Sequence, residues 1–352
     1  MKHFRHNMIR AGLEALYYTG AHRVLRPIFS GIGTIFMLHN VRPSRDDSFQ
    51  PNRHLEVTPD FLRATLKHLR ELGIDLVPMD ELYRRLRTRD FSRRFACITL
   101  DDGYRDNRDF ALPVFEEFDA PFTVFVASDF AEGTGGLWWV TLERLIAARS
   151  RLEVTIGGNE LCLDTATPEA KQAAFDRLHD LLRSLPGADD LAAAMTALCN
   201  HYGVDETAVA RELCLSWDEL RSFAGHPLVT IGAHSISHCL LARQSETVAA
   251  HELTGSRGRI QDELQRPVEH LAYPYGDKAS AGAREFALAA AAGFKTAVTT
   301  RPGMMFAECA EHLTALPRVS LNGHYQDDRL LPVLTSGAAT AMWNGFRRVA
   351  AA

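Results

Sequence analysis

Two short stretches carry residue types that could do chemistry together. GAHSISH sets His234 and His238 four positions apart, a spacing that lets two imidazoles share one face of a turn and converge on a single ion. ITLDDGY sets Asp101 beside Asp102. Consecutive side chains at a strand end diverge, so one carboxylate can bind a cation while its neighbour takes a proton from water. Each stretch alone is a weak signal. A chain with 15 histidines meets a pair at spacing four by chance, and D-D-G after a strand also makes a tight bend closed by an Asx hydrogen bond. Together, one Asp and two His supply three protein ligands and leave positions for water and substrate, as a catalytic zinc-type site requires. A zincin would carry Glu after its first His; Ser235 stands there, so the general base must come from elsewhere. A calcium EF-hand loop needs alternating oxygen ligands and Gly at its sixth position, which this sequence lacks.

These residues need a scaffold that aims them at one place. Apolar runs of strand length, at 34–38, 95–100, 122–127, 228–232, 269–273, 295–299 and 318–321, alternate with helical patterns such as FLRATLKHLRELG, whose Phe61, Leu62, Leu66, Leu69 and Leu72 keep the helical period up to Gly73. The alternation predicts an α/β fold with a parallel sheet, and seven such strands suit a closed or nearly closed barrel. In such a barrel the active site lies at the carboxyl ends of the strands. There the sequence places His39, Asp101 and Asp102, His234 and His238, and Pro274-Tyr275-Gly276. Residues 131–211 break the alternation: Gly-rich EGTGGLWW leads into polar, Ala-rich helical sequence that reads as an insertion. The expected organisation is an N-terminal amphipathic segment (1–31), a barrel (32–322) interrupted by that insertion, and a helical tail (323–352).

The 352 residues, 46% hydrophobic and 24% charged, describe an ordinary globular protein large enough for a full core. A net charge of −5 gives no general attraction for phosphate backbones, and no nucleic-acid partner is expected. The six cysteines form no C-x-x-C pair and several sit in apolar runs, the pattern of reduced, buried thiols in a cytoplasmic protein. Arg10, Glu14, His22, Arg23 and Arg26 interrupt the first thirty residues, so neither a secretory signal nor a spanning helix is expected. This basic, amphipathic stretch either packs on the domain or makes peripheral contact with an anionic membrane surface through residues 1–30, at the inner face.

At this point the residues resemble the polysaccharide deacetylases of the NodB-homology type, carbohydrate esterase family 4. ITLDDGYRDN resembles that family's T-F-D-D-G motif, GAHSISH its H-[ST]-x-x-H motif, and AYPYG its R-P-P-Y-G motif. FMLHNV and the helix VTPDFLRATLKHLRELG resemble the branch with an N-terminal Y-H-x-V strand. The resemblance implies a distorted (β/α)7-type barrel of the NodB-homology kind with a helical insertion. It implies a divalent metal on Asp102, His234 and His238, with zinc foremost and iron, nickel or cobalt suited to the same donors. It also implies Asp101 as the general base and the Tyr275 backbone N–H as an oxyanion donor.

The sequence departs from the family at two places. AVTT replaces a late L-x-H motif, so His39, at the Y-H-x-V position, is the candidate acid, with His324 second. Ala272 replaces the motif-three Arg, which in that family steadies the base, and Arg318 or Arg105 is the candidate substitute as partner of Asp101. Trp138 and Trp139 either stack on sugar rings at the rim or pack in a core. Tyr273 and Arg318 are further candidates for contact with substrate. The implied function is metal-dependent removal of N-acetyl groups from an amino sugar in an oligosaccharide, polysaccharide or glycolipid precursor. Two alternatives remain at this level: hydrolysis of another small acyl or cyclic amide, and a non-catalytic carbohydrate-binding barrel.

Overall fold

The computed structural model describes residues 2–348. Seven parallel strands form the centre: β1 (Gly33–Leu38), β2 (Phe95–Leu100), β3 (Phe122–Val126), β4 (Val229–Ala233), β5 (His270–Ala272), β6 (Thr296–Pro302) and β7 (Leu316–Ser320). They follow the order β1-β7-β6-β5-β4-β3-β2, and β2 returns to β1, so the sheet closes into a barrel. Closure rests on an in-register ladder from Gly33↔Phe95 to Leu38↔Leu100 on one side of β1 and on Phe36↔Val319 on the other. All seven expected strands form. GTIFML and FACITL are buried at every position. That is the signature of parallel strands covered on both faces, and it explains why they read as continuous apolar runs and not as alternating ones.

The helices that bear on the site and its surroundings are α1 (Lys2–Tyr18), α2 (Ala21–Phe29), α3 (Pro59–Glu71), α4 (Trp138–Ala147), α5 (Glu246–Leu264), α6 (Leu331–Ser336) and α7 (Ala338–Trp343). Thr58 caps α3 by accepting the Phe61 N–H, Pro59 opens it, and Phe61, Leu62, Leu66 and Leu69 bury its inner face against the barrel. Leu13 of α1 packs on Leu330 and Val333. Among the described residues no helix is long and apolar enough to cross a membrane.

The stretch expected to be a helical insertion also contains an antiparallel hairpin, Arg151–Ile156 with Asn159–Asp164. Leu152, Val154 and Ile156 point inward between exposed Arg151, Glu153 and Thr155, and Gly157-Gly158 take the positive φ values that the two-residue turn demands. Hairpin and helices enclose a second core in which Trp138, Trp139, Leu142, Phe175, Leu178 and Met195 are buried. This core lies against the carboxyl ends of the strands, where Tyr104 and Tyr275 join it.

Candidate metal centre and active site

The turn after β2 brings Asp102 to the barrel mouth, and the loop after β4 brings His234 and His238. Asp102 Oδ1 lies 3.4 Å from His234 Nε2 and 3.3 Å from His238 Nε2. All three side chains are buried, and one ligand atom from each falls within 4.8 Å of the others. Donors about 2.0–2.1 Å from a tetrahedral ion sit about 3.3 Å apart, so the two distances from Asp102 are those of ligands that share one small cation. Asp102 Oδ1 makes no hydrogen bond of good geometry, an orphaned buried oxygen that a cation would satisfy. Burial pushes the Asp102 carboxyl up, but the imidazoles beside it outweigh burial and hold it well below the usual carboxylate range. His234 Nδ1 donates to the Ala272 carbonyl at 2.7 Å, a bond that assigns the proton to Nδ1 and leaves the Nε2 lone pair toward Asp102.

The backbone is bent to reach this arrangement. Asp102, Ser235, His238 and Tyr275 all have left-handed φ, between 57° and 76°, and none is glycine. Such a conformation costs roughly 1–2 kcal/mol per residue, and its concentration here marks a site that neighbouring structure holds in place. Glu252 of α5 does much of the holding. Its buried carboxylate accepts the N–H groups of Ile236 (2.9 Å) and Ser237 (3.0 Å) and the Ser237 hydroxyl (2.8 Å), while Ser235 Oγ accepts the His238 N–H (3.0 Å). Hydrogen bonds to a charged group contribute about 1.5–3 kcal/mol each, so this clamp outweighs the strain in the loop it closes. The His238 ring is boxed by Phe130, Trp139 and Tyr275, with centroids 5.6, 5.0 and 4.9 Å away.

Asp101 faces a different set of partners. Arg318, inside β7 and with a fully buried side chain, meets it through two parallel hydrogen bonds of 2.7 Å. Arg318 is fixed in turn by the Thr299 carbonyl (2.8 Å) and Thr99 Oγ1 (3.1 Å). Burial alone raises the Asp101 carboxyl; the guanidinium more than reverses it, and the group stays ionised. His39 Nε2 stands 3.9 Å from Asp101 Oδ2, its side chain 18% exposed at the mouth. Burial draws its pKa down in spite of the two carboxylates. The Tyr275-Gly276 turn closes by Gly276 N–H to the Pro274 carbonyl at 2.7 Å and is anchored by Thr300 Oγ1 on the Tyr275 carbonyl. The Tyr275 N–H makes no hydrogen bond among the described residues.

Four expectations change. Tyr273 is no substrate contact: it is fully buried and gives its hydroxyl to the Thr314 carbonyl, as an inward core residue of its strand end must. Arg318 cannot touch substrate either, because Asp101, Thr99 and Thr299 occupy its donors; it stands where an arginine partner for Asp101 was sought. Arg105 is committed to Glu219 at 2.9 Å. Trp138 and Trp139, 5% and 6% exposed, pack in the second core and offer no open face for a sugar. Trp138 Nε1 instead donates to the Tyr275 hydroxyl (2.9 Å), and Trp139 lies against His238.

Sequence reasoning missed Glu252, which sits mid-helix without a motif. It also missed Asn107, which lies within ITLDDGYRDN and donates to the His39 carbonyl at 2.8 Å. His54 went unnoticed too. It stacks on His324 with centroids 6.2 Å apart, and burial, reinforced by His324 and His39, drives its pKa down to about 3.

A family model described as polysaccharide deacetylase matches residues 88–297, more than half of the chain. The matched span holds Asp101, Asp102, His234, His238 and Tyr275 but neither His39 nor Arg318. Among solved structures, the chain is similar to the Streptococcus pyogenes deacetylase PplD in complex with acetate, with TM-score 0.55 and 17% identity over 82% of this chain and 92% of that one. It is also similar to a polysaccharide deacetylase from Bacillus cereus, with TM-score 0.53 and 16% identity over 86% of this chain and 68% of that one. At these identities the likeness concerns the fold. No curated protein matches the chain.

Proposed function

The chain belongs to the polysaccharide deacetylase family, and from that premise we propose that it hydrolyses the N-acetyl amide of an amino sugar, releasing acetate and leaving a free amine, with the residues at the barrel mouth in distinct roles. It is a hydrolase of carbon–nitrogen bonds. The observation that carries the finer reading is the pairing of two unlike carboxylates. Asp102 is turned to two imidazole nitrogens, while Asp101, one residue earlier, is held ionised by Arg318 and free of them.

Asp102, His234 and His238 are the residues that would hold a divalent cation, with zinc first among those suited to two nitrogens and one oxygen. Such an ion supplies Lewis-acid polarisation of the acetyl carbonyl and a more acidic water. Asp101 takes the proton from the attacking water as the new carbon–oxygen bond forms. The Tyr275 N–H, left without a protein acceptor, is offered to the oxygen that gains negative charge. As the carbon–nitrogen bond breaks, the amine needs a proton. His39 is neutral at rest, and it lies close enough to Asp101 to relay the proton that Asp101 has collected. The missing motif-three arginine and late histidine are what favour carbohydrate binding without catalysis; Arg318 on Asp101 weakens the first of these, and the second rests on His39. The free thiols, four of them buried, support a reducing compartment such as the cytoplasm.

The test joins metal analysis of the purified protein to acetate release from N-acetylated chitooligosaccharide and from small cyclic amides. Stoichiometric divalent metal, acetate release abolished by chelation, and a loss of about 10²–10⁴-fold in Asp101→Asn are expected. Full activity of Asp101→Asn, or cleavage of cyclic amides alone, would overturn the assignment.

A further inference from the structure

Among the described residues nine large apolar side chains are strongly exposed, and seven of them fall within residues 8–28 and 342–346. Five gather on one face: Val24 (76% exposed) and Ile28 (52%) from α2, and Met342 (43%), Trp343 (52%) and Phe346 (58%) from α7 and the turn after it. The two segments form one surface, since the Phe29 and Phe346 rings lie 6.1 Å apart and the Arg348 guanidinium donates to the Ile28 carbonyl. Monomeric soluble proteins rarely gather exposed apolar residues in this way without a use for them.

The charges around the patch are as uneven as its hydrophobicity. Residues 1–31 and 337–352 carry seven Lys or Arg against one Glu, whereas the remaining residues carry 32 against 43 Asp or Glu. The terminal segments that build the patch are therefore basic in an otherwise acidic chain. Arg347 and Arg348 are exposed beside Phe346, Arg23 and Arg26 are exposed on the flank of α2 that turns toward His68 and Leu72, and none of the four has a carboxylate within ion-pair distance among the described residues. A second copy of the chain is a poor occupant, because self-pairing would set the same four guanidiniums against each other.

We propose that the face built by α2 and α7 docks the protein on an anionic lipid bilayer. Val24, Ile28, Trp343 and Phe346 enter the headgroup boundary, and the four arginines meet lipid phosphates. The contact is peripheral. α2 runs through Ser30 into the start of β1, and Arg94, just before β2, holds the Ser30 carbonyl at 3.0 Å. The face thus lies where the strands begin, and a docked molecule turns its catalytic mouth away from the bilayer toward the aqueous side. This inference does not depend on the deacetylase reading.

The experiment is flotation of the full-length protein with vesicles of phosphatidylcholine alone and with vesicles containing about a third phosphatidylglycerol. Binding to the anionic vesicles only, weakened by 0.5 M salt, is expected, because the Debye length falls from about 10 Å at 0.1 M toward 3 Å at 1 M. Arg23→Gln with Arg26→Gln should weaken binding about fivefold for each arginine removed. Val24→Ser with Ile28→Ser and Phe346→Ser should abolish it. Thermal melting and acetate release from a soluble substrate serve as controls and should match wild type in both variants. Wild-type protein that stays with neither vesicle, that binds both equally, or that the triple variant converts from dimer to monomer in light scattering would overturn the proposal.

Discussion

Arg318 and Asp101 meet 217 residues apart in sequence through two parallel 2.7 Å hydrogen bonds, in a pocket where the arginine side chain has no solvent exposure. Breaking one member of such a pair leaves the other charge buried and uncompensated, at a cost of about 3–5 kcal/mol. Arg318→Ala should therefore lose roughly that much stability in urea titration. In the double variant Asp101→Asn with Arg318→Gln, which is neutral on both sides, most of the loss should return. A double variant as unstable as the single one would show that Arg318 acts by filling space and not by charge.

His39→Gln should reduce the rate of acetate release by about 10²-fold or more while metal content stays at the wild-type level. Unchanged rate with bound metal would pass the role of acid to another group at the mouth, with His54 and His324 next in place.

Glu252 touches no proposed ligand directly, yet its carboxylate closes the loop that carries both histidines. Glu252→Gln replaces two charge-assisted backbone contacts with an amide that can also point its N–H groups the wrong way. Metal affinity, measured by competition with a chromophoric chelator, should fall by about 10–100-fold, as for other residues that orient ligands from behind. A fall in melting temperature with unaltered affinity would assign Glu252 to the fold alone.

Asp106 supplies a pH dependence of stability apart from the site. Burial raises its pKa to about 7, although its Oδ1 accepts the Val41 N–H and an Asn107 N–H. A carboxyl raised in the folded state holds its proton there while the unfolded chain, with a pKa of about 3.9, has lost it. Its contribution is thus full below about pH 4 and declines as pH rises toward 7. Asp106→Asn, which mimics the protonated form, should gain about 1–4 kcal/mol over wild type at pH 8 and almost nothing at pH 4. Denaturant titrations at the two pH values measure the difference; an equal effect at both would remove the burial argument.

What could be read in advance depended on how local the information was. Asp101, Asp102, His234, His238 and Tyr275 stand in short contiguous motifs at strand ends, and the period of each flanking segment placed them at one mouth. Choosing Arg318 over Arg105 as the partner of Asp101 required knowing that β7 lies beside β1, which only closure of the barrel decides. Glu252 binds backbone N–H groups, which leave no trace in residue type. The aromatic residues failed for another reason: Trp138, Trp139 and Tyr273 suit a sugar platform and a packed interior equally well, and the hairpin and helices of the insertion decide for the interior. That hairpin carries an alternation at Leu152, Val154 and Ile156, but six residues beside long Ala-rich helices are a short signal.

Barrel closure also bears on how the molecule behaves in a crowded, concentrated solution. A ring of seven strands offers no unpaired row of amide and carbonyl groups to a neighbouring chain, so strand addition has no template there. The longest open rows among the described residues belong to the two strands of the hairpin, where exposed Arg151, Glu153 and Glu160 make flat association costly. Self-assembly through β pairing, if forced by heat or mutation, should begin at that hairpin and leave the barrel for last.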